Sequence, residues 1–279
     1  MNLVDMHVHF MPERVLDKVW SYFDAASEHY GVSWPIHYRL PEAERLAALR
    51  SFGVVGFAPL VYAHKPGMAE WLTEWALEFG TSVPEAVPTG TFFPEPGASG
   101  YVSRALSRGA RCFKAHVQVG SYDPRDQLLD DVWGLLAEAA VPVVVHCGHG
   151  PIPGSHTGLD VFEEVLKRHP ALVAVVAHAG MPDYSGALDL VSRYDGVHLD
   201  TTMVGVPFTE AQAALPRDWA SRLVDVSDRV VLGSDFPNIP YEYRVQLDAI
   251  ESWAAADDRL GADFLRAVLH DNAARLLRL

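Results

Sequence analysis

Strand-length apolar runs alternate with helix-length segments from one end of this chain to the other, and few folds accommodate that alternation. The runs cover residues 3–10, 54–61, 86–93, 111–117, 142–146, 172–178, 197–201 and 229–234. Between them apolar residues recur at helical spacing, as in Val15, Leu16, Val19, Trp20 and Phe23 behind Pro12. Further helices are expected through Trp71, Leu72, Trp75 and Leu77, over 101–106, and through Leu128, Val132, Leu135 and Leu136. Others run through Val161, Phe162, Val165 and Leu166 before Pro170, through Trp219, Leu223 and Val224, and after Pro240. Runs 142–146 and 172–178 are almost continuously apolar, as in a parallel sheet covered on both faces. Eight β-then-α units without a linker or low-complexity break predict one α/β domain over 1–279. Its expected form is a closed (β/α)8 barrel of the TIM type with an extra C-terminal helix. An open doubly wound sheet would usually carry a Gly-rich phosphate loop after the first strand, where this chain has His9-Phe10-Met11-Pro12.

Composition narrows the partners. Lys and Arg number 22 against 36 Asp and Glu, a net charge of −14, which repels phosphate backbones and argues against nucleic acid. A locally positive metal site would still admit an anionic substrate. Two cysteines, Cys112 and Cys147, make no disulfide framework. No basic stretch precedes an apolar leader, and apolar runs such as 172–177 are too short to span a bilayer. The expectation is a soluble cytoplasmic protein with no membrane partner.

Polar residues collect at the C-terminal ends of the predicted strands, where barrels of this kind place their active sites. In Val4-Asp5-Met6-His7-Val8-His9-Phe10, strand alternation lets His7 and His9 converge. Lys114 and His116 share a face of the fourth strand, His146 and His178 end the fifth and sixth, and Asp235 follows the eighth. Any one of these alone reads as a hydrogen-bonded core or rim residue. Together they are harder to dismiss, because unpartnered buried polar groups are costly and a shared metal would partner them all. His7, His9, His146 and Asp235 can hold a divalent cation with room for water, with His178 as general base and Asp235 as a further proton acceptor.

Other residues have weaker claims. Asp5 is expected on the face of His7 and His9, deeper in the barrel, as support for them. His149 and His156 lie in the Gly/Pro-rich loop 147–156 and, like His64, are candidates for substrate contact or for plain surface. His29, His37, His169, His198 and His270 read as surface or helix-end residues. Cys147 should face away from the metal. Trp20, Trp71 and Trp75 should pack helices on the barrel, leaving Phe93 and Phe236 as aromatics on strand-end loops.

Five segments resemble the amidohydrolase superfamily, in its amidohydrolase-related branch that includes aminocarboxymuconate-semialdehyde decarboxylase. They are Asp5-Met6-His7-Val8-His9, Val145-His146-Cys147-Gly148, Ala177-His178-Ala179-Gly180, Gly233-Ser234-Asp235-Phe236-Pro237 and the closing Asn272-Ala273-Ala274-Arg275-Leu276-Leu277. The resemblance implies His7, His9, His146 and Asp235 as ligands of one divalent metal, by analogy Zn2+, and His178 in acid–base catalysis. In some superfamily members a carboxylated lysine on strand four bridges two metals, a minority reading for Lys114. Barrels of this branch often dimerise, so a homodimer is expected on that ground alone.

The leading functional expectation is a hydrolase that turns a metal-activated water on an amide, ester or lactone of a small substrate, one that could bear a carboxylate. Lys114, His116, His149 and Arg39 are the candidates for binding that substrate. The alternative is a non-oxidative decarboxylase of an unsaturated or aromatic acid, for which Arg39 is the most plausible carboxylate clamp.

Overall fold

The computed structural model describes residues 2–279 and bears out the barrel. Its strands are β1 (Leu3–Val8), β2 (Val54–Pro59), β3 (Thr89–Thr91), β4 (Cys112–His116), β5 (Val143–His146), β6 (Ala174–Val176), β7 (Val197–Asp200) and β8 (Val230–Val231). All pairings are parallel: β1 with β2, and β3 through β8 in sequence order. Two seams join these sheets. At one, Val8 bridges Phe236, and Met6 N–H donates to the Leu232 carbonyl at 2.8 Å. At the other, Phe57 bridges Ala86, with Phe57 N–H donating to the Glu85 carbonyl at 2.8 Å and Val87 N–H to the Phe57 carbonyl at 3.0 Å.

The expected helices are present with shifted ends; the short helix predicted over 101–106, for example, spans Ala98–Ser107. The barrel interior is filled by Val4, Met6, Ala58, Leu60, Val87, Cys112, Val144, Val175 and Val231. Ala273 and Leu277 of the terminal helix Asn272–Leu277 join that cluster. Leu279 closes against Gly56, where a Cβ would lie 2.5 Å from the leucine Cδ1, so a larger residue there would displace that side chain.

Several strands stop earlier than their apolar runs. The sixth ends at Val176 because Ala177–Gly180 forms a tight turn with His178 and Ala179 at positive φ, 54° and 45°. The eighth ends at Val231 because Leu232 N–H leaves the sheet for the Val268 carbonyl. These departures turn the site residues out of the sheet and over the barrel mouth.

The first strand carries an irregularity with a larger effect. Its register with β2 slips between Asp5 and Val8, so three steps along β1 match two along β2. Met6 joins the barrel interior while Val8 packs in the outer core. Asp5 therefore does not share the face of His7 and His9 as simple alternation predicts. Its Oδ2 accepts from Ser234 Oγ at 2.6 Å and from Tyr243 Oη at 2.8 Å, and its Oδ1 accepts from His7 N–H at 3.1 Å. Tyr243 belongs to the helix Tyr243–Ala256, so Asp5 ties the strand to the helical layer.

His198 also departs from expectation. It is buried on β7, with Nδ1 3.2 Å from the Gly196 carbonyl, rather than at the surface. Burial pushes its imidazole from an ordinary 6.5 down to about 4, with Arg275 and Arg229 adding repulsion. The folded pKa is the lower one, so the unfolded chain takes up the proton first and stability falls as pH drops from 6.5 towards 4. That window corresponds to about 3 kcal/mol. The variant His198→Gln should lose about that much less stability than the parent between pH 7 and pH 4, as read by urea melts at both values.

Gly233 makes a second close approach. A Cβ there would fall 2.3 Å from Thr202 Oγ1 and 2.9 Å from His7 Cβ. Gly233→Ala should cost roughly 1–3 kcal/mol in a thermal or urea melt, the range for overpacked interiors. An unchanged melt would show that β1 and the segment after β7 can move apart freely.

Candidate active site

Asp200, at the end of β7, organises the mouth of the barrel. Its Oδ2 lies 2.8 Å from His7 Nδ1, and its Oδ1 accepts the backbone N–H of His178 at 2.8 Å and of Thr202 at 3.1 Å. Sequence reading missed this residue, although it closes an apolar run as His146 does.

Acceptors behind the rings set their tautomers. His7 Nδ1 faces the Asp200 carboxylate, so it carries the proton and leaves Nε2 as an acceptor, with Lys114 Nζ 2.9 Å from it. His9 Nδ1 lies 2.9 Å from the Leu60 carbonyl, which fixes the same tautomer. Both Nε2 atoms then meet Asp235: the carboxylate Oδ1 is 2.8 Å from His9 Nε2 and 3.6 Å from His7 Nε2. Donor atoms of His7, His9 and Asp235 all lie within 4.8 Å of one another. Asp235 holds a positive φ of 66°, a strained conformation that aims its side chain at the two rings.

His146 and His178 flank this trio. His178 Nδ1 lies 3.1 Å from the Thr202 carbonyl, so its Nε2 is the free nitrogen. Its ring centroid is 5.3 Å from that of His7 and 4.7 Å from that of His146. His146 Nε2 is bonded to the Gly150 carbonyl at 2.9 Å, which leaves Nδ1, and the ring stacks on His116 at 4.2 Å. It stands outside the three-residue donor cluster.

Lys114 lies beneath His7, almost fully buried, with Nζ 2.9 Å from His7 Nε2. Burial lowers its ammonium pKa to about 8 against the pull of Asp200 and Asp235. Burial also drives the imidazoles of His7, His116 and His146 well below their ordinary range, helped by neighbouring positive groups, and lowers His178. Asp235 is pushed up by burial, but the His9 hydrogen bond and the charges of His9, His7 and His178 outweigh that and hold it well below the carboxylate range. The site sets a low-lying Asp235 carboxyl beside His7, His116, His146 and His178, whose imidazoles burial pushes towards the neutral form. Cys147 is buried in the outer core with its thiol pushed up to about 12, so it is no nucleophile.

A cavity of about 580 Å3 opens above these groups, large enough for a ring-bearing small molecule. His7, His9, His116, His146, His178 and Asp235 line it. Of the other candidates, His149 is bonded to Thr157 Oγ1 at 2.8 Å and does not line it. Arg39 is drawn away from it, its guanidinium bonded to both carboxylate oxygens of Asp24 and to the Trp20 carbonyl over the Trp20 ring. Phe93 and Phe236 are likewise buried elsewhere. The opposite wall consists of Tyr22, Phe23, Tyr30 and Trp34, on and just beyond the helices Glu13–Asp24 and Ala26–Tyr30. Helical periodicity signalled the first helix but not that it covers the site.

No helix among the described residues is long and apolar enough to cross a membrane. No curated protein matches the chain in sequence. Its fold is similar to that of 5-carboxyvanillate decarboxylase from Sphingomonas paucimobilis, with a TM-score of 0.67 at 15% identity over 100% of this chain and 99% of that one. A zinc-bound amidohydrolase from Burkholderia multivorans superposes with a TM-score of 0.66 at 17% identity, covering both chains fully. Dihydroorotase from Campylobacter jejuni gives 0.61 at 13% identity over 100% of this chain and 83% of its own. Residues 4–279 match the amidohydrolase family, and the chain belongs to it.

Proposed function

We propose that this chain is a metal-dependent hydrolase of small amides, esters or lactones. One observation carries the reading: His7 Nε2, His9 Nε2 and Asp235 Oδ1 converge at the barrel mouth, Oδ1 lying 2.8 Å from His9 Nε2 and 3.6 Å from His7 Nε2, with ligating atoms of all three within 4.8 Å of one another. Two imidazole nitrogens and one carboxylate oxygen converging this closely suit a borderline divalent ion such as Zn2+. His7, His9 and Asp235 would hold the ion, with His146 Nδ1 as the additional ligand. A cation bound there supplies Lewis acidity to a carbonyl and lowers the pKa of a water.

The remaining chemistry belongs to the chain. His178 Nε2, left free by the bond at Nδ1, takes the proton from the attacking water and returns it to the leaving group. Asp235 shares that proton traffic. Asp200 keeps His7 and His178 in one frame, and Lys114 balances its buried negative charge. Among the described residues no guanidinium lines the cavity, which favours hydrolysis over decarboxylation of a bound acid. The unpaired buried cysteines accord with a cytoplasmic setting.

Purified protein should carry one equivalent of divalent metal, zinc foremost, by elemental analysis, and a chelator should remove both the metal and ester or lactone hydrolysis. Asp200→Asn should weaken metal affinity by about 10–100-fold in a competition titration while the chain stays folded. His178→Gln should keep the metal and lose about 10²–10⁴-fold in kcat. Release of carbon dioxide from an acid substrate without any hydrolysis would replace this reading with the decarboxylase.

A further inference from the structure

The wall facing the metal-ligand candidates is a connected aromatic surface. Trp34 packs edge-on against Phe208 at 4.8 Å and tilts on Phe23 at 5.2 Å, while Tyr30 joins both Trp34 and Tyr22. Val15 and Val19 continue it along the first helix, and the exposed Tyr22, Val119 and Ile152 carry the apolar character out to the rim. Permanent cations are scarce. Lys18 is the single lysine among the described lining residues and it is exposed at the rim, where water already solvates its ammonium. Lys114 is buried against His7 and Arg39 is bound to Asp24, so neither reaches the cavity.

Burying a carboxylate in such a wall would cost several kcal/mol of desolvation without a partner, whereas a flat apolar ring gains area and aromatic contact. We propose that the substrate is a neutral ester or lactone carrying an apolar, ring-sized group lodged against Phe23 and Trp34, and that the cavity discriminates against a carboxylate on that group. This rests on the hydrolase reading for the bond cleaved. Water adds across the acyl C–O bond, giving an acid and an alcohol or phenol from an ester, or a single hydroxy acid from a lactone, with no oxidant or reductant required.

The metal-loaded protein can be titrated calorimetrically with 2-naphthol and with 6-hydroxy-2-naphthoate, two probes that share the ring and differ by one carboxylate. The neutral probe should bind at least 10-fold more tightly. Trp34→Leu should weaken that binding about 10-fold, with Phe23→Leu replacing it if the first variant does not fold. Gln212→Arg, which sets a guanidinium on the lining, should narrow the gap between the probes. Equal or tighter binding of the carboxylate by the parent protein overturns the proposal, as does tight 2-naphthol binding untouched by both wall variants. Hydrolysis of 2-naphthyl acetate separates the two readings. Preferential ring binding without turnover sinks the hydrolase and leaves the ring preference standing, while faster turnover of the carboxylated ester does the reverse.

Discussion

The mouth of this barrel depends on one buried carboxylate. Asp200 is fully enclosed and would be expensive there unless satisfied, and three donors satisfy it: His7 Nδ1 and the backbone N–H groups of His178 and Thr202. Those donors come from β1 and from the turns after β6 and β7, so a single side chain joins three elements far apart in sequence. The joint also has a chemical direction. By accepting the Nδ1–H of His7 it leaves Nε2 as an acceptor beside Lys114 and Asp235, and by holding the His178 backbone it fixes a residue at a φ of 54° that a free chain seldom adopts.

Asp5 plays the matching part on the other face of β1. The register slip before Val8 sends it outward to Ser234 and Tyr243, and burial lifts its carboxyl to about 7 although all three hydrogen bonds it accepts oppose that rise. Ser234 precedes Asp235, so Asp5 anchors the backbone from which the metal-ligand candidate projects. Two carboxylates on opposite faces of the sheet thus constrain the two ends of the donor trio, one through His7 and the other through Asp235.

The rule that polar residues at strand ends mark the site placed His7, His9, His116, His146, His178 and Asp235 around one cavity. Strand alternation served where the ladder is regular, as for Lys114 and His116 on β4, and failed at Asp5, because a bulge is a register property that requires the partner strand to be known. Asp200 obeyed the strand-end rule and was passed over because its partners, the His178 and Thr202 N–H groups, are backbone atoms with no sequence signature. His198 was read as surface because a single polar residue inside an apolar run does not reveal which face it takes. Arg39 looked free for a substrate because its partner Asp24 lies across a turn whose course the sequence does not fix.

The aromatic cover was the least legible part, and it governs how the site works. Spacing shows that the helix Glu13–Asp24 has an apolar face but not which surface that face meets. Here Trp20 bonds Asn238 and packs beneath the buried Arg45, while Tyr22 and Phe23 meet the cavity. An apolar wall over part of the cavity lowers the polarity around the donor trio, which strengthens the hydrogen-bonded pairing of His9 Nε2 with Asp235 Oδ1. A wholly polar lining would screen that pairing and weaken it. The wall and the donor trio are therefore linked: the aromatic surface that offers contacts to a ring also sets the polarity around His9 and Asp235.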